Sequence, residues 1–291
     1  MNNILITGSK GQLGSEFRAL SAHYPGITMT FTDIEELDIT SETDVASYIK
    51  AGDFNAVINC AAYTAVDKAE TEPEIAYKVN ALAAANLAKA SASQKITLIH
   101  ISTDYVFDGT NHRPYKETDP VKPAGSYGLT KLQGEEEIMR ICQNAVIIRT
   151  SWLYSCYGNN FVKTILRLAS ERENLGIVFD QIGTPTYAAD LAAMVLNNLS
   201  HFLKTNKPTL YHFSNEGVAS WYDFAHLIVK LSGLTCKVRP ILSKEYPTPA
   251  ARPHFSVLDK SKIKSTLNIE IPDWQDSLQV CLNKLQEMNK N

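Results

Sequence analysis

Tyr127 and Lys131 stand four residues apart in Ser126-Tyr127-Gly128-Leu129-Thr130-Lys131, at the opening of a helical pattern that continues through Leu132, Glu135 and Ile138. On a helix this interval places both side chains on one face, a turn apart, so an ammonium beside a phenol would favour the phenolate. That is acid/base chemistry. With 13 tyrosines in the chain, such a pair also arises by chance about once, so the surrounding elements decide its meaning.

Those elements begin with a β-type run, Asn3-Ile4-Leu5-Ile6-Thr7, which passes directly into Gly8-Ser9-Lys10-Gly11-Gln12-Leu13-Gly14 and then a helix with Leu13, Phe17 and Leu20 inward. In a strand, glycine turn and helix of this kind, glycines let the backbone approach a pyrophosphate and the helix N-terminus supplies free N–H groups. The spacing is G-x-x-G-x-x-G, one residue wider at the first interval than the common dinucleotide fingerprint. A second run, Ile27 to Phe31, ends at Thr32-Asp33, where an acid binds the adenosine ribose and favours NAD over NADP. Asp38 follows closely and either faces the adenine side or caps a helix starting near Ser41; loop acids without a ligand are an equal alternative for both.

Ala56 to Ala62 reads as a strand buried on both faces that ends in small residues, followed by Tyr63-Thr64. An alanine-rich helix with one internal polar residue, Asn80, is predicted from about Pro73 to Ser91. Ile96 to Ser102 is the next strand, and its end delivers Ser102-Thr103-Asp104-Tyr105 to the side where ligands sit in a doubly wound sheet. A long polar loop from Phe107 to Gly125 then leads to Tyr127. Ala145 to Arg149 is a further strand, with Trp152 just beyond it as a stacking surface for a sugar or base, or equally as core. Beyond this the alternation loosens. Helices are expected over 160–171, 187–199, 221–231 and 274–288, and strands over 176–179 and 209–213.

The fold expected is α/β, a doubly wound parallel sheet of Rossmann type with a smaller, discontinuous C-terminal substrate-binding lobe. Residues 1–150 form the dinucleotide-binding domain, rejoined by parts of 176–213, and 151–291 form mainly the substrate lobe. A net charge of -3 gives no footprint for nucleic acid or an acidic membrane surface. The first apolar run is too short for a signal peptide core or a span, so the expected location is cytoplasmic. Five scattered cysteines without a C-x-x-C pair, and seven histidines without paired spacing, predict neither disulfides nor a zinc site.

With the glycine loop, the Ser102-Thr103 strand end and Tyr127-x-x-x-Lys131 in this order, the chain resembles the extended short-chain dehydrogenase/reductases that act on nucleotide-sugars. The resemblance runs along the full length, through the stretches 59–67, 102–109, 127–131, 149–152, 158–161 and 252–259. It implies hydride transfer from NADPH or NADH to C4 of dTDP-4-dehydro-β-L-rhamnose, giving dTDP-L-rhamnose for cell-surface polysaccharide. On this likeness Tyr127 is the proton donor, Thr103 binds the same oxygen, and Lys131 also holds the nicotinamide ribose. Gly8, Gly11, Gln12 and Leu13 fall on the pyrophosphate loop, and Asp33, Asp38, Ile39, Ala62, Tyr63 and Thr64 on the adenine and ribose side. Asp104 and Trp152 match positions that contact the deoxysugar, and Arg252 is assigned to the diphosphate. Related 4,6-dehydratases carry an acid where this chain has Tyr105, which disfavours dehydration. Some reductases of this kind are dimers bridged by magnesium; Glu16 and Asp190 are the only matching acids here, and the homodimer and the metal are both left open. Two alternatives also stay open: a reductase or epimerase of another nucleotide-sugar, and a non-catalytic NADP-binding regulatory subunit.

Overall fold

The computed structural model describes residues 2–288 and 290. The first half alternates as predicted: β1 (Asn2–Thr7), α1 (Gln12–Leu20), β2 (Ile27–Thr32), α2 (Glu42–Ala51), β3 (Ala56–Asn59), α3 (Val66–Ala69), α4 (Pro73–Tyr77), α5 (Ala83–Gln94), β4 (Thr97–Thr103), α6 (Ser126–Ile141) and β5 (Ala145–Thr150). The second half comprises β6 (Leu153–Tyr154), α7 (Phe161–Glu171), β7 (Asn174–Val178), β8 (Ile182–Gly183), β9 (Thr186–Tyr187), α8 (Ala188–Asn197), α9 (Leu199–Phe202) and β10 (Thr209–His212). It ends with β11 (Ala219–Ser220), α10 (Trp221–Leu231), β12 (Lys237–Ile241), α11 (Ser261–Leu267) and α12 (Trp274–Met288).

Six strands form one sheet in the order β10-β5-β4-β3-β1-β2, and every pairing in it is parallel. The chain leaves β1 toward β2 and then crosses back to β3, so the order reverses at β1. In such sheets the crevice beyond the carboxyl ends at that reversal is the ligand site. Alternate residues of each strand fill opposite faces: Ile4, Ile6, Ile58 and Ile148 pack with Phe17, Leu191 and Val195, while Leu5, Val57, Leu98 and Ile147 pack with Ile49 and Leu87. A separate core of Tyr154, Val162, Phe224, Ile228, Trp274 and Leu278 packs elements of the C-terminal half together. Within 176–213, β10 pairs with β5, whereas β7 pairs with β12 away from the main sheet. No helix among the described residues is long and apolar enough to cross a membrane.

Two local expectations are corrected. The third strand stops at Asn59 rather than running to Ala62, because the Asn59 side chain accepts the Ala61 N–H at 3.0 Å and turns the backbone out of the ladder. The helix expected from about Pro73 to Ser91 is interrupted by a π-turn, Lys78–Leu82, that contains Asn80. Asn80 bonds both the N–H and the C=O of Tyr63 and the hydroxyl of Thr130. Its side chain therefore ties the loop after β3 to α6, and π-turns inside helices frequently sit at such functional positions.

Candidate active site

The nucleotide end of the crevice is built by β1 and the start of α1. Gly8 has φ of +68°, and a Cβ there would lie 2.5 Å from the backbone nitrogen of Ala61, so a side chain at this position collides with the loop after β3. Gly11 is the N-cap of α1 and offers no side-chain cap. The N–H groups of the first turn are consequently open to an anion. Gln12 aims a buried, unpartnered Oε1 in the same region, whereas Leu13 is core and contributes only main chain. These features fit a dinucleotide pyrophosphate.

Asp33 lies at the end of β2, where its Oδ2 accepts the Lys10 N–H at 2.8 Å, tying the acid to the glycine loop. Asp38 is exposed and accepts both the N–H and hydroxyl of Thr40, while the cap of α2 is Ser41. Asp38 therefore does not cap that helix. Ile39 is buried in the core, with its carbonyl bonded to Asn86. Ala62 and Tyr63 line the loop after β3, Thr64 is exposed, and the Tyr63 hydroxyl donates to Glu72.

Tyr127 and Lys131 are both buried on the sheet-facing side of α6. Gly128 makes this possible, since a Cβ there would lie 2.2 Å from the carbonyl oxygen of Tyr105. Tyr105 in turn packs edge-on against Tyr127, with ring centroids 5.4 Å apart. The expected push toward a phenolate is not found. Burial raises the Tyr127 pKa above that of a free phenol, Asp104 and Tyr105 add to the rise, and a bond with Thr103 offsets part of it. The Lys131 ammonium position is directed elsewhere: Nζ donates to the Ile101 carbonyl at 2.7 Å and lies 3.1 Å from His100 Nε2. Burial lowers the Lys131 pKa to about 8 against opposing contributions from Glu135 and Cys60. The pair is thus a protonated phenol and, one turn along the same helix, an ammonium that holds its proton less firmly than usual, a state suited to giving a proton rather than taking one.

A second part of the crevice is formed by the carboxyl ends of β4 and β5, which stand side by side with Thr103 opposite Thr150. Thr103 Oγ1 donates to Asp104 Oδ1 at 3.0 Å. Asp104 is buried, and desolvation raises its pKa to about 6 despite the hydroxyls around it. The Ser256 hydroxyl faces the Asp104 carboxyl and is the largest of the groups that offset this rise. Trp152 adopts a left-handed backbone, φ +49°, and stacks on Trp221 at 3.6 Å and 7°. Gly183 lies flat beneath it, since a Cβ there would be 2.6 Å from the indole and 2.8 Å from Ser256 Oγ. A strained tryptophan held by a second one is a preorganised stacking surface. Arg252, in the segment after β12, donates to Asp67 Oδ2 at 2.7 Å and to the Tyr105 hydroxyl at 3.3 Å.

Glu16 is buried and Asp190 half-buried, and both are committed to internal partners. Glu16 binds Ser155 and Lys284, and Asp190 binds Asn215 and Ser277. Among the described residues no group of three or more His, Cys, Asp or Glu could hold a metal ion.

Sequence reasoning missed four members of this site. Asn59 and His100 were visible as lone polar residues in apolar strand runs, but their partners were not. Trp221, one of three tryptophans, and Ser256, inside the run 252–259, carried no signal of proximity to Trp152.

A family model described as the RmlD substrate binding domain matches residues 1–287. A dTDP-4-dehydrorhamnose reductase of Aggregatibacter actinomycetemcomitans is 42% identical over 286 residues, 96% of this chain and 97% of the relative. The crystal structure of a dTDP-4-dehydrorhamnose reductase from Clostridium acetobutylicum superposes with a TM-score of 0.93 at 42% identity, covering 98% of this chain and 99% of the other. A dTDP-4-dehydrorhamnose reductase from Bacillus anthracis, solved in complex with NADP, gives 0.91 at 38% identity, covering 98% and 100%.

Proposed function

The chain belongs to the RmlD substrate-binding-domain family, and from that membership together with the site above we infer that it reduces C4 of dTDP-4-dehydro-β-L-rhamnose to give dTDP-L-rhamnose. It is an NAD(P)H-dependent reductase, and its product serves polysaccharide synthesis. The observation that carries the reading is the buried, protonated Tyr127 placed beside Thr103 and Lys131 at the carboxyl end of the sheet.

A bound reduced nicotinamide supplies the hydride. The protein's residues do the rest. The free N–H groups at Gln12 and Leu13, with the Gly8 and Gly11 backbone packed beside them, hold the pyrophosphate, Asp33 the adenosine ribose, and the loop of Ala62, Tyr63 and Thr64 the adenine side together with Asp38 and the Ile39 main chain. Lys131 holds the nicotinamide ribose. Tyr127 gives its proton to the developing C4 alkoxide, and the Thr103 hydroxyl donates to the same oxygen, fixing it where charge appears. Asp104 binds a deoxysugar hydroxyl, Trp152 covers the sugar face, and Arg252 takes the diphosphate through its planar fork. Tyr105 places an uncharged ring where a dehydratase needs an acid, so water elimination lacks its base.

We extend the proposal to a division into a nucleotide domain of residues 1–150 joined by β10, with the remainder as substrate lobe, and to a cytoplasmic homodimer. The apolar Ile75, Leu82 and Leu129, left exposed on adjoining segments, support a face for a second copy, which sedimentation would detect.

The decisive assay follows the loss of reduced-nicotinamide absorbance when NADPH or NADH meets freshly epimerised dTDP-4-dehydrorhamnose. Rapid oxidation by the native protein and its loss in Tyr127→Phe, with cofactor binding retained, is the expected result. A Tyr127→Phe protein that turns over at the native rate would remove this tyrosine from the chemistry.

A further inference from the structure

The first turn of α6, which carries Tyr127, is held from outside the helix. Its N-cap is Gly125, which has no side chain to bond the free N–H groups of that turn. The Ser126 N–H instead donates to Glu70 Oε1 at 2.8 Å, and the Ser126 hydroxyl donates to Glu70 Oε2 at 3.2 Å. Both oxygens of one half-buried carboxyl group, 56 residues upstream, are thus bonded to the residue directly before Tyr127. A carboxylate at a helix N-terminus also meets the favourable end of the helix dipole.

Gly125 leaves the room this arrangement needs. A Cβ there would lie 2.6 Å from Glu70 Oε1, so any side chain at the N-cap displaces the carboxylate. The backbone of Gly125 is extended, a conformation open to every residue, so space and not chain geometry is what the glycine supplies. The cap of the helix therefore comes from another element.

That element is α3, which ends just before Glu70. It reaches Tyr127 by a second route as well. Ala69 is fully buried and packs in one apolar cluster with Ala76 and Tyr127, with Tyr63, Val66 and Tyr105 around them. The α3 segment is itself pinned on two sides: Asp67 accepts from Arg252 and from the Ala250 N–H, and Glu72 accepts the Tyr63 hydroxyl.

The deeper part of α6 has separate anchors. Asn80 donates to Thr130 Oγ1 at 3.1 Å, Lys131 Nζ donates to the Ile101 carbonyl at 2.7 Å, and Glu135 is paired with Arg149. These hold the helix from Thr130 onward whether or not its opening turn is fixed. The opening turn takes its hydrogen-bonded anchor from Glu70.

We propose that Glu70 is a positioning residue for the reduction: it ties the first turn of α6 to α3 and so sets where the Tyr127 hydroxyl meets the substrate oxygen. This rests on the reading of Tyr127 as the proton donor. A donor has to stand within hydrogen-bond reach of the oxygen it protonates, and a displacement of about 1 Å can cost roughly a hundredfold in rate. Lys131, anchored on its own, keeps its hold on the cofactor. Loss of Glu70 therefore lowers kcat and spares cofactor affinity.

The test compares Glu70→Ala and Glu70→Gln with the native full-length protein, in steady-state reduction of freshly epimerised dTDP-4-dehydrorhamnose and in amide hydrogen exchange along α6. Glu70→Ala should lower kcat roughly tenfold or more, with KM for reduced nicotinamide within about twofold of native. Glu70→Gln keeps an acceptor for the Ser126 N–H and should recover most of the lost rate. A native kcat in Glu70→Ala, or a Glu70→Gln protein as slow as Glu70→Ala, would overturn the proposal. In Glu70→Ala the Ser126 amide should exchange roughly tenfold faster or more, while that of Ile138, about three turns further along the helix, is unchanged. Equal acceleration at both would mean a general loosening of the fold and would overturn it too. If Glu70→Ala does not fold, Gly125→Ala decides, because its methyl group displaces the carboxylate without straining the backbone: it should reproduce the fall in kcat, and a native kcat would sink the idea. Failure of the substrate reading would show differently, as a native protein with the expected exchange contrast at Ser126 that does not oxidise reduced nicotinamide.

Discussion

Arg252 and Asp67 form an ion pair at 2.7 Å between the loop ahead of the C-terminal segment and the first turn after β3, with Asp67 also accepting the Ala250 N–H. The arginine assigned to the diphosphate is thus already satisfied by an internal carboxylate, and a diphosphate has to compete for it. A partly exposed pair of this kind contributes on the order of 1 kcal/mol, little enough for a doubly charged ligand to displace. Asp67→Asn should free the guanidinium and lower KM for the sugar nucleotide several-fold, on the order of 1 kcal/mol of released competition. Arg252→Ala should raise KM by roughly tenfold or more, the worth of a charge-assisted bond. Steady-state kinetics on the two variants check both directions; equal losses in both would make the pair structural only.

The stack of Trp152 on Trp221 assigns the second indole a role that its distance in sequence conceals. Trp152→Ala should raise KM for the sugar nucleotide without changing cofactor affinity. Trp221→Ala should produce the same pattern at smaller size, about threefold to tenfold, matching the roughly 0.5–1.5 kcal/mol of an aromatic pair. Parallel loss of cofactor binding, read by fluorescence titration, would point to general unfolding instead.

Asp104 carries a pH signature. Its folded pKa of about 6 lies above the unfolded value, so the native state binds the proton more tightly than the unfolded chain does. Its stabilising effect is present in full below the unfolded pKa and is lost as pH rises through the folded pKa. The ionised form costs about 3 kcal/mol of stability near neutral pH, taking an unfolded value of about 3.9. Asp104→Asn should therefore unfold at higher denaturant than the native protein at roughly pH 8, with the gap closing toward roughly pH 4, while KM for the sugar nucleotide worsens. Denaturation curves across that range would show a gap independent of pH if the carboxyl group is not the cause.

Asp33 is fixed by the Lys10 N–H at the end of β2, and Glu35 and Glu36 follow one residue later. A 2′-phosphate placed there meets a carboxylate, so NADH should bind at least as well as NADPH, and Asp33→Ser should shift the NADPH to NADH ratio of kcat/KM upward by roughly tenfold or more. An unchanged ratio would place the adenosine ribose elsewhere.

Much of this protein was legible along the chain, because the relevant physics is local. Apolar runs of strand length, a glycine turn before a helix, and a four-residue interval on a helix are properties of neighbours in sequence, and they located β1, β3, β4, β5, α1 and α6 together with Tyr127, Lys131 and Thr103. The end of β3 and the π-turn at Asn80 were not legible. Each depends on a polar side chain finding a backbone partner, Ala61 for Asn59 and Tyr63 for Asn80, and periodicity cannot report whether a hydrogen bond closes.

The ionisation of the central pair was likewise out of reach of sequence. Spacing says that Tyr127 and Lys131 share a helix face, and by itself it argues for an ammonium that pulls the phenol toward its anion. Only the tertiary structure shows that the sheet buries both, that Glu135 is held by Arg149, and that Lys131 turns to Ile101 and His100. A pKa is set by what surrounds a group in three dimensions, by lost water and by the donors and charges facing it, and those surroundings come here from β3 and β4, tens of residues before α6 along the chain, as well as from β5 just after it. The sequence determined which chemical groups are present and which elements carry them. Packing decided which protons they hold.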